Sequence, residues 1–274
     1  MNRTVITAAN TLNQLQKQLD IIGTNLANVD TNGYKRRETN FTELMNQHYD
    51  HLLNTRLEAG RLTPNGIRMG TGAKLAQSQM VSIQGSIQTT GRLLDFALAK
   101  ENQFFKVLVQ EDGQGQVHYT RNGAFYLTPI NENESMLVNG DGYPVLDDRN
   151  QMITFNKDDS QTISLVSGGA LSADDGEPVN LGIVHVDYPQ FLQQKGGNLL
   201  SLPADMDSPD DFVVRELTGI QRQEIGLQQK ALEKSNVDTA KEMTDMMNVQ
   251  RSYQFQSRAI TLSDQMMGLI NGIR

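Results

Sequence analysis

Apolar residues in the first thirty positions recur at alternating spacings of three and four: Val5, Ala8, Leu12, Leu15, Leu19, Ile22, Leu26 and Val29. That rhythm puts all eight on one narrow stripe, the seam of a coiled coil, and predicts a helix over 3–29. At about 1.5 Å per residue it is a rod of about 40 Å. It stops at Asp30-Thr31-Asn32-Gly33, where Asn-Gly suits the positive φ of a tight turn. At the other end Met246, Val249, Tyr253, Ile260, Met267 and Ile270 form one stripe. Phe255, Ala259, Leu262, Met266, Leu269 and Ile273 form a second beside it. One partner helix covers one stripe, so two stripes predict several neighbours.

Between the helices the period falls to two. Phe105, Val107 and Val109 alternate with Lys106 and Leu108, and Val179 with Leu181, Val184 with Val186 and Phe125 with Leu127 repeat the pattern. Turn signals such as Asp112-Gly113, Asn122-Gly123 and Gly196-Gly197 separate the runs, as in an antiparallel β-domain. The fold class is therefore α+β: long terminal helices forming a coiled-coil-like bundle, with a β-rich antiparallel middle domain. A short second helix is expected from Phe41 to Leu53, capped by Asn40, then irregular chain from Thr55 to Thr71. Helical periodicity resumes near Leu217, and Thr239 with Glu242 reads as a capping box for the final helix. The expected organisation is 1–33 axial helix and turn, 34–73 short helix and linker, 74–215 β-domain, and 216–274 axial helix.

The 274 residues carry 32 acidic and 24 basic side chains, a net charge of −8, which argues against a nucleic-acid partner. The short run Lys35-Arg36-Arg37 is followed at once by Glu38 and reads as a solvated turn. The chain has no cysteine, so disulfides and thiolate chemistry are excluded. No apolar run reaches the ~20 residues of a membrane span, so no membrane insertion is expected. Asn10, Asn13, Gln14, Gln16, Lys17 and Gln18 interrupt the first helix, so no cleavable secretory signal is expected.

Catalytic candidates are weak. His48 and His51 lie three apart on the expected second helix, but spacing places no third ligand. His118 and His185 fall on expected strands without a nucleophile nearby. The carboxylate pairs at 147–148, 158–159, 174–175 and 210–211 sit in turns, where Asp bonds the following backbone. Gly113-Gln114-Gly115 and Gly140-Asp141-Gly142 lack the lysine and helix of a phosphate loop and read as hairpin tips. No catalytic residue, metal or cofactor is expected.

The helix ends carry a likeness. Asn25-Leu26-Ala27-Asn28-Val29-Asp30-Thr31-Asn32-Gly33-Tyr34-Lys35 resembles the N-terminal motif of bacterial flagellar rod and hook proteins. Leu232-Glu233-Lys234-Ser235-Asn236-Val237 resembles the family's C-terminal motif, followed at family spacing by Gln250-Arg251-Ser252-Tyr253. Phe104-Phe105-Lys106-Val107 and Tyr119-Thr120-Arg121-Asn122-Gly123-Ala124-Phe125 resemble its β-domain blocks. Within the family, Gly66 to Gly72 and Val249 to Tyr253 look most like the distal-rod class.

The resemblance implies a structural subunit rather than an enzyme. It would pass through the flagellar type III export apparatus and join the basal body outside the cytoplasm. Its terminal helices would polymerise with copies of itself and with neighbouring rod and hook proteins into a torque-transmitting tube. A proximal-rod or hook paralogue would share these features. A rival of another class is a secreted polysaccharide-acting enzyme, which needs two carboxylates converging in a cleft, with Asp147 and Asp174 as candidates. A coiled-coil adhesin would show a longer stalk.

Overall fold

The structure, a computed structural model, describes residues 2–43, 46–49, 67–70, 73–111, 113–156, 163–173, 178–203 and 213–272. Contacts divide the chain into two units. The first comprises Met1–Leu26, Arg37–Gln79 and Thr239–Arg274, and the second Ala27–Arg36 and Met80–Asp238.

The first unit begins with α1 (Asn2–Ala27), the expected seam helix. Strands β1 (Arg37–Glu43), β2 (Asn46–Tyr49), β3 (Ile67–Gly70) and β4 (Ala73–Met80) follow, and α2 (Thr239–Gly272) closes the chain. Leu15 and Ile22 of α1 are buried against Val249 of α2, with Leu19 and Met246 packed around them. The seam thus finds its partner within the chain, as a helix pair. At the end of α1 the Asn25 side chain is clamped both ways. Its Nδ2 donates to the Arg37 carbonyl at 2.9 Å, and its Oδ1 accepts from the Arg37 N–H at 3.0 Å. A buried amide satisfied on both atoms fixes one register between α1 and β1.

The expected second helix is not found. Residues 41–43 and 46–49 are strands, β1 pairing with β4 and β2 with β3, Asn46 opposite Gly70 and Tyr49 opposite Ile67. Ile67–Gly70, expected to be irregular, is that partner strand. A ladder from strands some twenty to thirty residues away outweighs a local cap signal, and Phe41, Thr42 and Tyr49 are good strand formers. His48 lies on β2; His51 and residues 55–66 lie outside the described residues.

The second unit holds strands β5 (Ile87–Thr89), β6 (Phe96–Leu98), β7 (Gln103–Glu111), β8 (Gln114–Thr120), β9 (Tyr126–Pro129) and β10 (Glu134–Val138). It continues with β11 (Thr154–Asn156), β12 (Ser164–Val166), β13 (Ala170–Ser172), β14 (Val179–Asn180) and β15 (Ile183–Val186). Last come β16 (Gln193–Lys195), β17 (Leu199–Ser201), β18 (Val214–Glu216), β19 (Leu227–Gln229) and β20 (Ala231–Glu233). Its pairings are antiparallel, as the alternation predicted. The largest sheet has the order β16-β17-β8-β7-β15-β18.

The β7–β8 hairpin turns beside Gly113, which has φ +80°. Phe105, Val107 and Val109 of β7 join one core with Phe125, Leu137 and Leu181, while Phe104 joins Tyr119, Val184, Val186 and Leu200 behind the sheet. A strand buried on both faces tolerates a charge only when it is paired. Buried Lys106 accordingly donates to Asn150 at 2.7 Å and to Glu216 at 2.9 Å.

Residues after Leu217 also depart from expectation. A 3-10 turn (Gly219–Glu224), β19 and β20 occupy the stretch, and the helix begins only at Thr239. β19 pairs with β6 and β20 with β5. Partner strands more than a hundred residues upstream supply the ladder, information absent from a local window.

Candidate functional site

Glu233 is the centre of a buried ionic cluster in the second unit. β20 carries it, and its pairing with β5 (Glu233 opposite Ile87) sets its position. Oε1 accepts from Lys35 Nζ at 2.7 Å and from the Gly85 N–H at 2.8 Å. Oε2 accepts from Arg121 Nε at 2.5 Å. Both cations also donate to backbone carbonyls. Lys35 Nζ reaches the Ile83 carbonyl at 2.8 Å, and Arg121 donates to the carbonyls of Gln103 at 2.6 Å and Leu98 at 3.1 Å. The three charged side chains are each at most 3% exposed.

A second layer of bonds ties the same segments. The Gly33 N–H donates to the Glu233 carbonyl at 2.8 Å. Asn236 Oδ1 accepts from the Arg36 N–H at 2.7 Å, while its Nδ2 donates to the carbonyls of Val81 and Ile83, both at 2.9 Å. Asn198 Nδ2 donates to the Asn32 carbonyl at 3.0 Å, and Thr31 Oγ1 donates to Asn28 Oδ1 at 3.1 Å. Three segments distant in sequence (28–36, 121 and 233–236) meet at one carboxylate.

Burial pushes the Lys35 ammonium below its ordinary value; the Glu233 charge opposes this and Arg121 reinforces it. The reading of Lys35-Arg36-Arg37 as a solvated turn is therefore corrected. Lys35 is buried because a buried carboxylate waits for it, a partner 198 positions away that spacing does not reveal. Such a cluster adds little net stability over apolar packing but makes loss of one member costly, because the remaining buried charge is stranded.

Gly33 makes the close approach possible. It has φ +72°, and a Cβ there would lie 2.6 Å from the Arg121 carbonyl carbon and the Asn122 nitrogen. Gly33→Ala is expected to cost about 1–3 kcal/mol by overpacking and strain, read as a lower urea midpoint with unchanged slope.

The motif residues fall into two groups. Asn25, Gly33, Tyr34 and Lys35 are buried, and Asn28, Thr31, Ser235, Asn236 and Val237 half-buried. Gln250 and Arg251 are exposed on α2 and take no part in the cluster. Of the seam residues Ala8, Leu15, Ile22 and Val249 are buried, and Val5, Leu12, Leu19, Leu26, Val29, Met246, Ile260 and Met267 half-buried. Tyr253 and Ile270 are exposed, as are Phe255, Leu262, Met266 and Leu269 of the second stripe. Arg121 and Glu233 lie within the β-domain and terminal motifs, where little in the local pattern marks them out. The available signal was a charge set inside an apolar strand context, Ala231-Leu232-Glu233.

The carboxylates offered to an enzyme are otherwise engaged. Asp147 Oδ1 accepts from the N–H groups of Arg149 and Gln151, the expected turn. Asp148 Oδ2 accepts from Asn180. Asp174 lies outside the described residues. A polar cleft of about 380 Å³ is lined by Asn28, Thr31, Asn122, Asp141, Lys195 and Asn198 among others, with Asp141 as the one carboxylate among the described lining residues. Hydrolysis of a glycosidic bond needs a second. Among the described residues no three His, Cys, Asp or Glu come together, and no helix is long and apolar enough to cross a membrane.

Comparison with known proteins converges on the same segments. Residues 6–35 match the family described as flagella basal body rod protein, 100–183 the flagellar hook protein FlgE/F/G D1 domain, and 228–273 the flagellar basal body rod FlgEFG protein C-terminal region. The chain is 47% identical to the flagellar hook-basal body complex protein FlhP of Bacillus subtilis strain 168, covering 100% of both. It is 33% identical to the flagellar basal-body rod protein FlgG of Borreliella burgdorferi, over 100% of this chain and 99% of the relative. To FlgG of Bacillus subtilis it is 31% identical, over 97% of each.

Proposed function

We propose, for a chain that belongs to the flagellar basal-body rod and hook protein family, a role as a rod subunit that polymerises through its terminal helices. Members of this family are structural proteins, not enzymes, and basal bodies are where the relatives' names place them. The finer reading is the distal-rod class. The protein is exported through the flagellar type III apparatus. It then joins a hollow axial tube that carries torque, with copies of itself and with adjoining rod and hook subunits.

One observation carries the polymer. α1 covers part of one face of α2, and Phe255, Leu262, Met266 and Leu269 remain exposed in a row on the same helix. Each large apolar side chain gains about 1.5–3 kcal/mol when covered, which favours a bundle built from several chains. The exposed stripe, with the exposed Tyr253 and Ile270 beside it, is its contact surface, while the buried seam residues hold the helix pair together.

A second reading has its own support. Identity is 47% to FlhP but 31% to FlgG within the same organism, which favours a rod-type paralogue beside the FlgG subunit. Deleting the gene is expected to abolish swimming and leave basal bodies lacking a rod segment in electron micrographs. Loss of the outermost segment supports the distal position, and loss of an inner segment the paralogue. Intact basal bodies and normal swimming would sink both.

A further inference from the structure

Two buried polar side chains of the second unit have no hydrogen-bond partner among the described residues. His118 of β8 is 1% exposed and pairs with Val107 of β7, so its ring lies on the Val107 side of the sheet. On its other edge β8 pairs with β17, Thr120 opposite Leu199 and Tyr119 opposite Leu200. One further step of that register sets Ser201 opposite His118. Side chains so placed have Cβ atoms about 4.5–5.5 Å apart. Ser201 is 5% exposed, and neither its hydroxyl nor either ring nitrogen of His118 is hydrogen-bonded to another described residue.

The charges acting on His118 are Glu111 of β7 and Lys195 of β16, which are bound to each other at 3.4 Å. A neutral imidazole is tolerated there. An imidazolium has only a neutral hydroxyl opposite and a carboxylate already shared with a lysine. Burial accordingly pushes His118 below its ordinary 6.5; Glu111 opposes this and Lys195 reinforces it.

We propose that buried His118 makes the β16–β17 hairpin an acid-sensitive latch, which stays on β8 while the ring is neutral and is released when His118 takes up a proton. The hairpin is the weak side of the site. β17 and β16 have three residues each and β16 is the exposed sheet edge, whereas β7 and β8 share seven paired positions. Release has a consequence beyond the hairpin. Its turn carries Asn198, whose carbonyl accepts from Thr120 and whose amide holds the Asn32 carbonyl. Acid would therefore loosen the 28–33 turn.

The sign follows from linkage. Between 6.5 and the lowered value the open hairpin binds one proton more than the closed one, so opening grows about tenfold per pH unit of fall. Amide hydrogen exchange on the full-length protein from pH 7 to 5, corrected for intrinsic rates, reads this at residues 199–201. Protection there is expected to fall about tenfold per unit below 6.5 while residues 105–109 hold, and to become flat in His118→Gln and His118→Leu. An unchanged slope in folded variants overturns the latch. Should the variants not fold, the ring-carbon shifts of His118 in the wild type decide. A midpoint below 6.5 that tracks the exchange supports it, and one at or above 6.5 overturns it.

Discussion

Replacing Glu233 by Gln lowers the unfolding free energy of the protein by about 3–5 kcal/mol, the cost of removing one partner from a buried ionic cluster. The substitution keeps the shape but leaves Lys35 and Arg121 buried without a countercharge, both having donated to that carboxylate. Denaturant unfolding at pH 7 measures the loss. Lys35→Met tests the coupling: the double variant is expected to lose less than the sum of the two single losses, because the second change removes one stranded cation. A loss under about 1 kcal/mol, or strict additivity, would show that Glu233 does not hold the two cations together. The loss should also fall on docking of the terminal segments, since Gly33 and Asn236 bond beside the same carboxylate.

Changing Leu262 and Leu269 together to Gln prevents polymer formation and leaves the monomer's thermal midpoint within about 2 °C of wild type. These side chains are 59% and 69% exposed, so their polar replacements cost the monomer little. Covering both in an assembly is worth about 3–6 kcal/mol per contact, a factor of about 10²–10⁴ in affinity. Sedimentation and electron microscopy of assembling protein measure the effect. Ile220→Gln is the control: it is 86% exposed on the 3-10 turn of the second unit, away from α2 in sequence, and should assemble normally. Rods formed by the Leu262, Leu269 variant would show that another surface drives assembly.

The residues that were misread share one cause. Residues 41–43, 46–49, 227–229 and 231–233 carry weak local patterns, and each joins a strand because a distant strand offers its open edge. Lys35 was misread for the same reason in electrostatic form. A lysine in a run of three bases looks solvated until a carboxylate 198 positions away is seen to be buried with it.

The sequence by itself determined α1, the last helix from Thr239, the alternating β-middle and the Asn-Gly turn, because periodicity and turn chemistry act over a few residues and are written locally. It also determined the family, since the two terminal motifs and the β-domain blocks are short and contiguous. Only the tertiary structure decided that 28–36, 121 and 233–236 share one carboxylate, that α1 covers just one side of α2, and that His118 is buried without a hydrogen-bond partner among the described residues. Each of these depends on which strands and helices become neighbours. Neighbours are chosen by the burial of a whole core and by the pairing of charges that cannot be buried alone.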